Sequence, residues 1–227
     1  MHATSAPPGS SLYYSIMHAD NTLKANILLY RSIYEKLKKI KPVAVSWWEQ
    51  ELQKHPDLLP LLHAFINDLN ISIYEDNLNL HQFYKNTAGL LERSLGKFYG
   101  ISDDKKLDQL ENLGIFNAKI NHLRDLKKHL EQGKMYFSGE QLLKYHVNLY
   151  DLSQLKLTPA ILQLFEDEAE HSLSYFTPVK DKNARPTLIL ANIQKTLLSE
   201  IKKADFPVFT HHIGLTPLRK WWIANRS

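Results

Sequence analysis

Apolar residues return every third or fourth position along most of the chain, the period of an amphipathic helix. From about residue 21 to 40 the steps fall on Leu23, Ile27, Tyr30, Ile33 and Leu37. Asp20 and Asn21 are suitable N-caps there, and Pro42 closes the segment. A short amphipathic piece over 46–54 carries Trp47 and Trp48. Pro56 and Asp57 open a helix through Leu61, Phe65, Leu69 and Ile73, and another runs over about 78–98 until Gly100 ends it. The central helix is expected over 103–131, its apolar face marked by Leu107, Leu110, Leu113, Phe116, Ile120, Leu123 and Leu130, with Gly133 as the breaker. Ser138 with Gln141 three residues on is a capping-box pattern for a short helix. Pro159 opens a helix through Phe165 and Leu173 that Pro178 stops, and 178–186 reads as a charged loop. Residues 187–203 are helical through Leu190, Ile193, Leu197 and Ile201, and a terminal helix starts near Thr216 and Pro217 and carries Trp221 and Trp222. No stretch reads as a strand and no repeat is visible. The pattern predicts an all-α fold, with residues 1–11 as a flexible leader and 12–227 as one domain.

Composition narrows the picture. A chain of 227 residues can bury one sizeable core, and 8 glycines with 10 prolines suit a helical protein. With no cysteine, disulfides, thiolate metal sites and cysteine nucleophiles are excluded. The formal net charge of +4 is spread along the chain, so nucleic acid is not an expected partner; the excess gives a weak pull toward anionic lipid or diphosphate. The N-terminus lacks a basic segment followed by an apolar one, and no apolar run approaches the ~20 residues of a membrane span. The expected location is cytoplasmic, with contact to the inner face of the membrane as an extension.

Candidate chemistry lies on the central helix. Asn117, Asn121 and Asp125 are four apart and share one side, and His129 extends the line. Such a polar stripe either borders a cavity or forms a satisfied network with Arg124 and Asp125 in ion pairs. Spacing alone favours the network. Elsewhere, Glu166, Asp167 and Glu168 with Glu170 and His171 read as a solvated face, and the adjacent His211 and His212 do not converge as ligands. No zinc-protease, phosphate-loop or nucleophile-elbow motif occurs.

Several motifs, taken in order, resemble the squalene/phytoene synthase family. Ser10-Ser11-Leu12-Tyr13-Tyr14 is similar to that family's SSFYYSF, and Trp47-Trp48-Glu49-Gln50-Glu51-Leu52 to its WWxxEL. Leu113-Gly114, Asn121 and Leu123-Arg124-Asp125 resemble the second acidic motif, LxNILRDVxED. Gly133, Tyr136 and Glu140 fit the RGRxYLPxEEL turn that follows it. Leu215-Thr216, Leu218-Arg219-Lys220, Trp222, Ala224 and Arg226 resemble the terminal LSxLRKxWxAxR. The resemblance implies an all-helical terpenoid synthase fold around a deep apolar cavity. In active members two acidic clusters hold Mg²⁺, which binds prenyl diphosphates and stabilises the departing diphosphate while two allylic chains are joined head to head. Because the family shows the same aromatics, Trp47, Trp48, Trp221 and Trp222 are expected to pack rather than to meet a membrane.

The chain departs from the family where the acids should be. Where the first motif reads YAFCRxxDDxxDE, Arg31 keeps its place but the acidic positions hold Tyr34, Glu35 and Lys38. In the second motif the later acids fall on Lys128 and His129, the glutamine before the asparagine on Ala118, and the acid of a DGMxMDL segment on Ser72. Glu35 and Asp125 remain as residual metal ligands. Two readings follow. One is a non-catalytic member that binds an isoprenoid diphosphate or other apolar lipid, or acts as an assembly factor with a protein partner, as a respiratory complex I assembly factor of this family does. The other is an active Mg²⁺-dependent prenyltransferase. A metal-free diphosphate site would draw on Arg31, Lys38, Asn121, Arg124, Lys128 and His129.

Overall fold

The computed structural model describes residues 59–211 and 213–227, so Arg31, Glu35, Lys38 and the leader 1–11 lie outside the described residues. The chain divides into two compact units, 1–70 and 71–227. Of the first, helix α1 (Leu59–Asp68) is described, with Leu61, Leu62, Ala64 and Ile66 buried. It stops earlier than its apolar pattern suggests, and the Asn70 amide donates to the Ile66 carbonyl at 3.0 Å.

The second unit is helical. Helix α2 (Asn77–Tyr84) runs through a π turn (Lys85–Gly89) into α3 (Leu90–Phe98). Within that turn the Thr87 hydroxyl donates to the Phe83 carbonyl at 2.7 Å, the side-chain competition that often loosens an α ladder. Next come α4 (Asp104–Arg124), α5 (Leu126–Glu131), α6 (Gly139–Lys144) and α7 (Leu149–Ser153). The unit closes with α8 (Pro159–Ser174), α9 (Arg185–Lys203) and α10 (Pro217–Arg226). Gly100 and Gly133 adopt φ of +87° and +71° just past helix ends, as the sequence predicts. The capping box of Ser138 and Gln141 forms as expected.

Helix α4 is the centre. Leu113 to Asn117 are buried without interruption, so neighbours enclose it on every side there. Phe116, Ile120 and Leu123 join Phe165 of α8 and Leu198 and Ile201 of α9 in one core. A second, aromatic cluster of Tyr74, Phe83, Tyr84, Ile115 and Tyr136 lies beside it. Outside the helices, residues 71–76 tie down the turn after α5. Met135 donates to the Ser72 carbonyl at 2.9 Å and Gly139 to the Tyr74 carbonyl at 2.8 Å. An isolated parallel bridge pairs Ile73 with Met135.

Three further expectations change. The single central helix over 103–131 is two helices that meet at Asp125, whose φ and ψ of −95° and 16° leave the helical region. Glu166, Asp167 and Glu170 are solvated, but Glu168 is buried. Trp221 and Trp222, expected to pack, are exposed.

The tightest approach is at Gly114. A Cβ there would lie 2.3 Å from the Ala88 carbonyl oxygen, and backbone of a neighbouring helix cannot retreat as a side chain can. Gly114→Ala should cost about 1–3 kcal/mol or more. The check is a lower urea midpoint with an unchanged slope.

Candidate functional site

The four residues of the polar line read from the sequence meet different surroundings, and only His129 lies beyond the break at Asp125. Asn117 is buried in the helix interior, and both carboxamide atoms lack a hydrogen-bond partner, as does Oε1 of Gln194. Asn121 accepts from the Gln194 amide of α9 at 2.9 Å. At the junction, Arg124 Nε donates to Asp125 Oδ1 at 2.8 Å and a second guanidinium N–H reaches Oδ2. Adjacent side chains diverge on a straight helix; the departure of Asp125 from helical geometry accompanies their pairing in a fork. The ion-pair reading of the spacing therefore holds for Arg124 and Asp125. His129 turns to the aromatic cluster, 5.1 Å between ring centres from both His122 and Tyr136.

Arg124, Asp125 and Lys128 do come together on one cleft of about 460 Å³. Lys127 and Glu131 of α5 line it too, with Val208, Thr210 and His211 from the loop between α9 and α10 opposite. That loop is held by Asp205 and Phe206, both at positive φ, and by Phe206 packing against Phe165. Lys127 and Lys128 are exposed. With Arg124 balanced by Asp125, these two ammonium groups face one remaining acid, Glu131, so the cleft suits an anion. Asn121 and His129 do not line it.

Both oxygens of Asp125 accept from Arg124, so a Mg²⁺ ion there would share a carboxylate whose charge the guanidinium already balances. Among the described residues no three acidic or histidine side chains converge as a cation site.

A second cluster was missed at the sequence level. Lys119 of α4 and Glu168 of α8, 5% and 3% exposed, form an ion pair at 2.6 Å. The Gln141 amide of α6 donates to the other Glu168 oxygen at 2.9 Å, and the Lys119 ammonium lies 4.9 Å from the Tyr84 ring centre. Beside it His122 stacks on Tyr136 with ring centres 3.7 Å apart, and its Nδ1 is 3.0 Å from the Tyr84 hydroxyl. The gap between these groups is about 10 Å³, room for one water at most. This is a packed polar core, not a substrate pocket. A signal existed: in LxNILRD the two apolar positions before and after the asparagine hold Lys119 and His122.

The ammonium shapes its surroundings. Burial first, then the charges of His129 and Lys119, push the His122 imidazole well below its ordinary value. Burial and Lys119 also lower His81 and His171, with Lys85 acting on the former and His81 on the latter, while the Glu111 and Glu168 carboxylates pull back. Burial and the Glu168 charge raise Tyr175. Away from this cluster Glu92 is raised by burial, against the Thr187 hydroxyl that donates to it at 2.6 Å.

Helices wrapped round a central α4, with a basic cleft at its C-terminal end, form an all-helical terpenoid synthase-like fold. The solved structure of a dehydrosqualene synthase in complex with ligand matches with a TM-score of 0.75 at 16% identity, over 96% of this chain and 84% of that one. Squalene synthase HpnC from Alicyclobacillus acidocaldarius matches with a TM-score of 0.70 at 15% identity, over 88% of this chain and 84% of that one. YisP from Bacillus subtilis matches with 0.56 at 15%, over 98% and 100%. At such identities the likeness is one of fold. No curated protein matches by sequence. The squalene/phytoene synthase family model matches residues 29–222, and the chain belongs to that family.

Lys119→Met leaves the Glu168 carboxylate alone in the core and should cost about 3–5 kcal/mol; adding Glu168→Leu should restore most of it in urea melts. For His122, the folded state disfavours the proton that the unfolded chain takes up near its ordinary value. Its contribution is present at neutral pH and is lost as pH falls below that value, at up to about 1.4 kcal/mol per pH unit. His122→Phe should flatten that limb of stability against pH.

Proposed function

We propose that this chain is a binding member of the squalene/phytoene synthase family. It would hold an isoprenoid diphosphate, or another apolar lipid with an anionic head, without metal-assisted ionisation. The observation that carries the reading is the fork between Arg124 and Asp125. It occupies the one acid of the second motif that remains, while Lys127 and Lys128 stand beside it on the cleft. Ionising an allylic diphosphate requires cations preorganised where the leaving group's charge develops, the part that clamped metal ions play in active members. Lysines can bind the same group in its ground state as point charges.

In this reading Lys127 and Lys128 take the diphosphate and His211 borders it. Arg31 and Lys38 are proposed as further donors, and Glu35 as the remaining acid, from the motif alone. A role in assembling another protein is compatible with a bound lipid and adds a protein partner.

Calorimetry with farnesyl diphosphate in EDTA tests the reading. Binding without metal is expected, weakened about tenfold or more by Lys127→Ala with Lys128→Ala. Inorganic diphosphate in a parallel titration separates head-group from chain recognition. Diphosphate release from farnesyl diphosphate in Mg²⁺, abolished by Asp125→Ala, would overturn the reading in favour of an active head-to-head prenyltransferase.

A further inference from the structure

Helix α10 lies against α9 by one side and leaves another uncovered. Ile223 is buried at 8% exposure, while Leu218, Trp221 and Trp222 are 75%, 64% and 50% exposed. Positions 218, 221, 222 and 225 follow the three-and-four spacing of one helix face. The helix is fixed in place by its other contacts. Thr216 caps it, Arg219 pairs with Glu200 at 3.0 Å, and the Asn192 amide donates to the Ser227 hydroxyl at 2.9 Å. Exposed tryptophans on a well-anchored helix are costly in water unless something covers them.

Charge says what covers them. The helix carries Arg219, Lys220 and Arg226 and no acid, and the Arg226 guanidinium lies 3.9 Å from the Trp222 ring centre. Indole rings with cations alongside are suited to the lipid head-group layer, where the ring is half in hydrocarbon and the cation meets phosphate. No described helix is long and apolar enough to cross a membrane, so contact would be made from the surface.

We propose that the exposed face of α10 is a docking surface for an anionic lipid bilayer. Leu218, Trp221 and Trp222 enter the head-group layer while Arg226, beside Trp222 on the same side, pairs with lipid phosphates. This rests on the α10 surface alone and not on what the cleft holds. It would bring the membrane to the loop that forms one wall of the cleft, since that loop runs directly into α10.

Co-sedimentation with lipid vesicles tests it, using the full chain. Binding is expected to vesicles containing phosphatidylglycerol and not to pure phosphatidylcholine. Trp221→Ser with Trp222→Ser should lower it at least about tenfold. Arg226→Glu should lower it about fivefold or more. Since the chain has no cysteine, Leu218→Cys gives a single labelling site, and an environment-sensitive dye there should shift to the blue on anionic vesicles in a chain whose thermal melt is unchanged. Absence of both binding and dye shift would overturn the proposal, as would equal binding to neutral vesicles. So would a dimer in size-exclusion chromatography that the double tryptophan variant dissolves, because a second copy would then be the occupant.

Discussion

The ion pair between Lys119 and Glu168 is the contact on which the second unit's arrangement turns. It joins the central helix to α8, and through Gln141 it reaches the short helix that follows the turn after α5. Burying two full charges is costly, and such a pair is seldom a net gain over well-packed apolar side chains. Once present, though, it obliges its neighbours. The carboxylate needs the amide of Gln141, the ammonium draws in the face of Tyr84, and the histidines round about are held neutral. Aromatic rings then stack where a looser core would leave room for solvent. The consequence is a region of the fold that is closed and specific at a place where the family motif carries plain apolar residues.

The break at Asp125 follows a different logic. It separates a core helix from a surface helix and turns His129 out of the line of Asn117, Asn121 and Asp125. Asn117 stays inside with no partner, His129 joins the rings, and Asp125 is held by its own neighbour at the rim of a basic cleft. The fold of the family is retained, and this end of α4 sets Arg124, Lys127 and Lys128 around the paired Asp125.

Much of this was legible in the sequence. Helix ends were readable at Gly100, Gly133 and Ser138 because each depends on chemistry local to a turn. The all-helical class followed from periodicity, and family membership from the order of short motifs around Asn121, Tyr136 and Trp222. What could not be read depended on contacts far apart in the chain. Glu168 sits among solvated acids in the sequence, and only the approach of Lys119 from another helix makes its burial tolerable. The junction at Asp125 was hidden because its apolar steps continue unbroken through Leu126 and Leu130, and no proline or glycine announces the break. Trp221 and Trp222 are exposed although the family motif places aromatics there, because a recurring aromatic need not be a packed one. For Arg31, Glu35 and Lys38 the structure adds nothing, since they lie outside the described residues.

The π turn between α2 and α3 bears on how freely this chain can vary. A π turn is an α-helix with one residue too many. The wide turn over Lys85–Gly89 takes up that residue, so the helix after it keeps the phase of an uninterrupted one. Glu92 therefore meets Thr187 and Gly96 meets Leu110 as they would on a regular helix. Deleting one residue of the turn would leave an α-helix with those contacts in place, so this is where the helix can absorb a change of length. The charged stretch at 178–186 is less free, since Val179 is buried in the core and Asp181 pairs with Lys106.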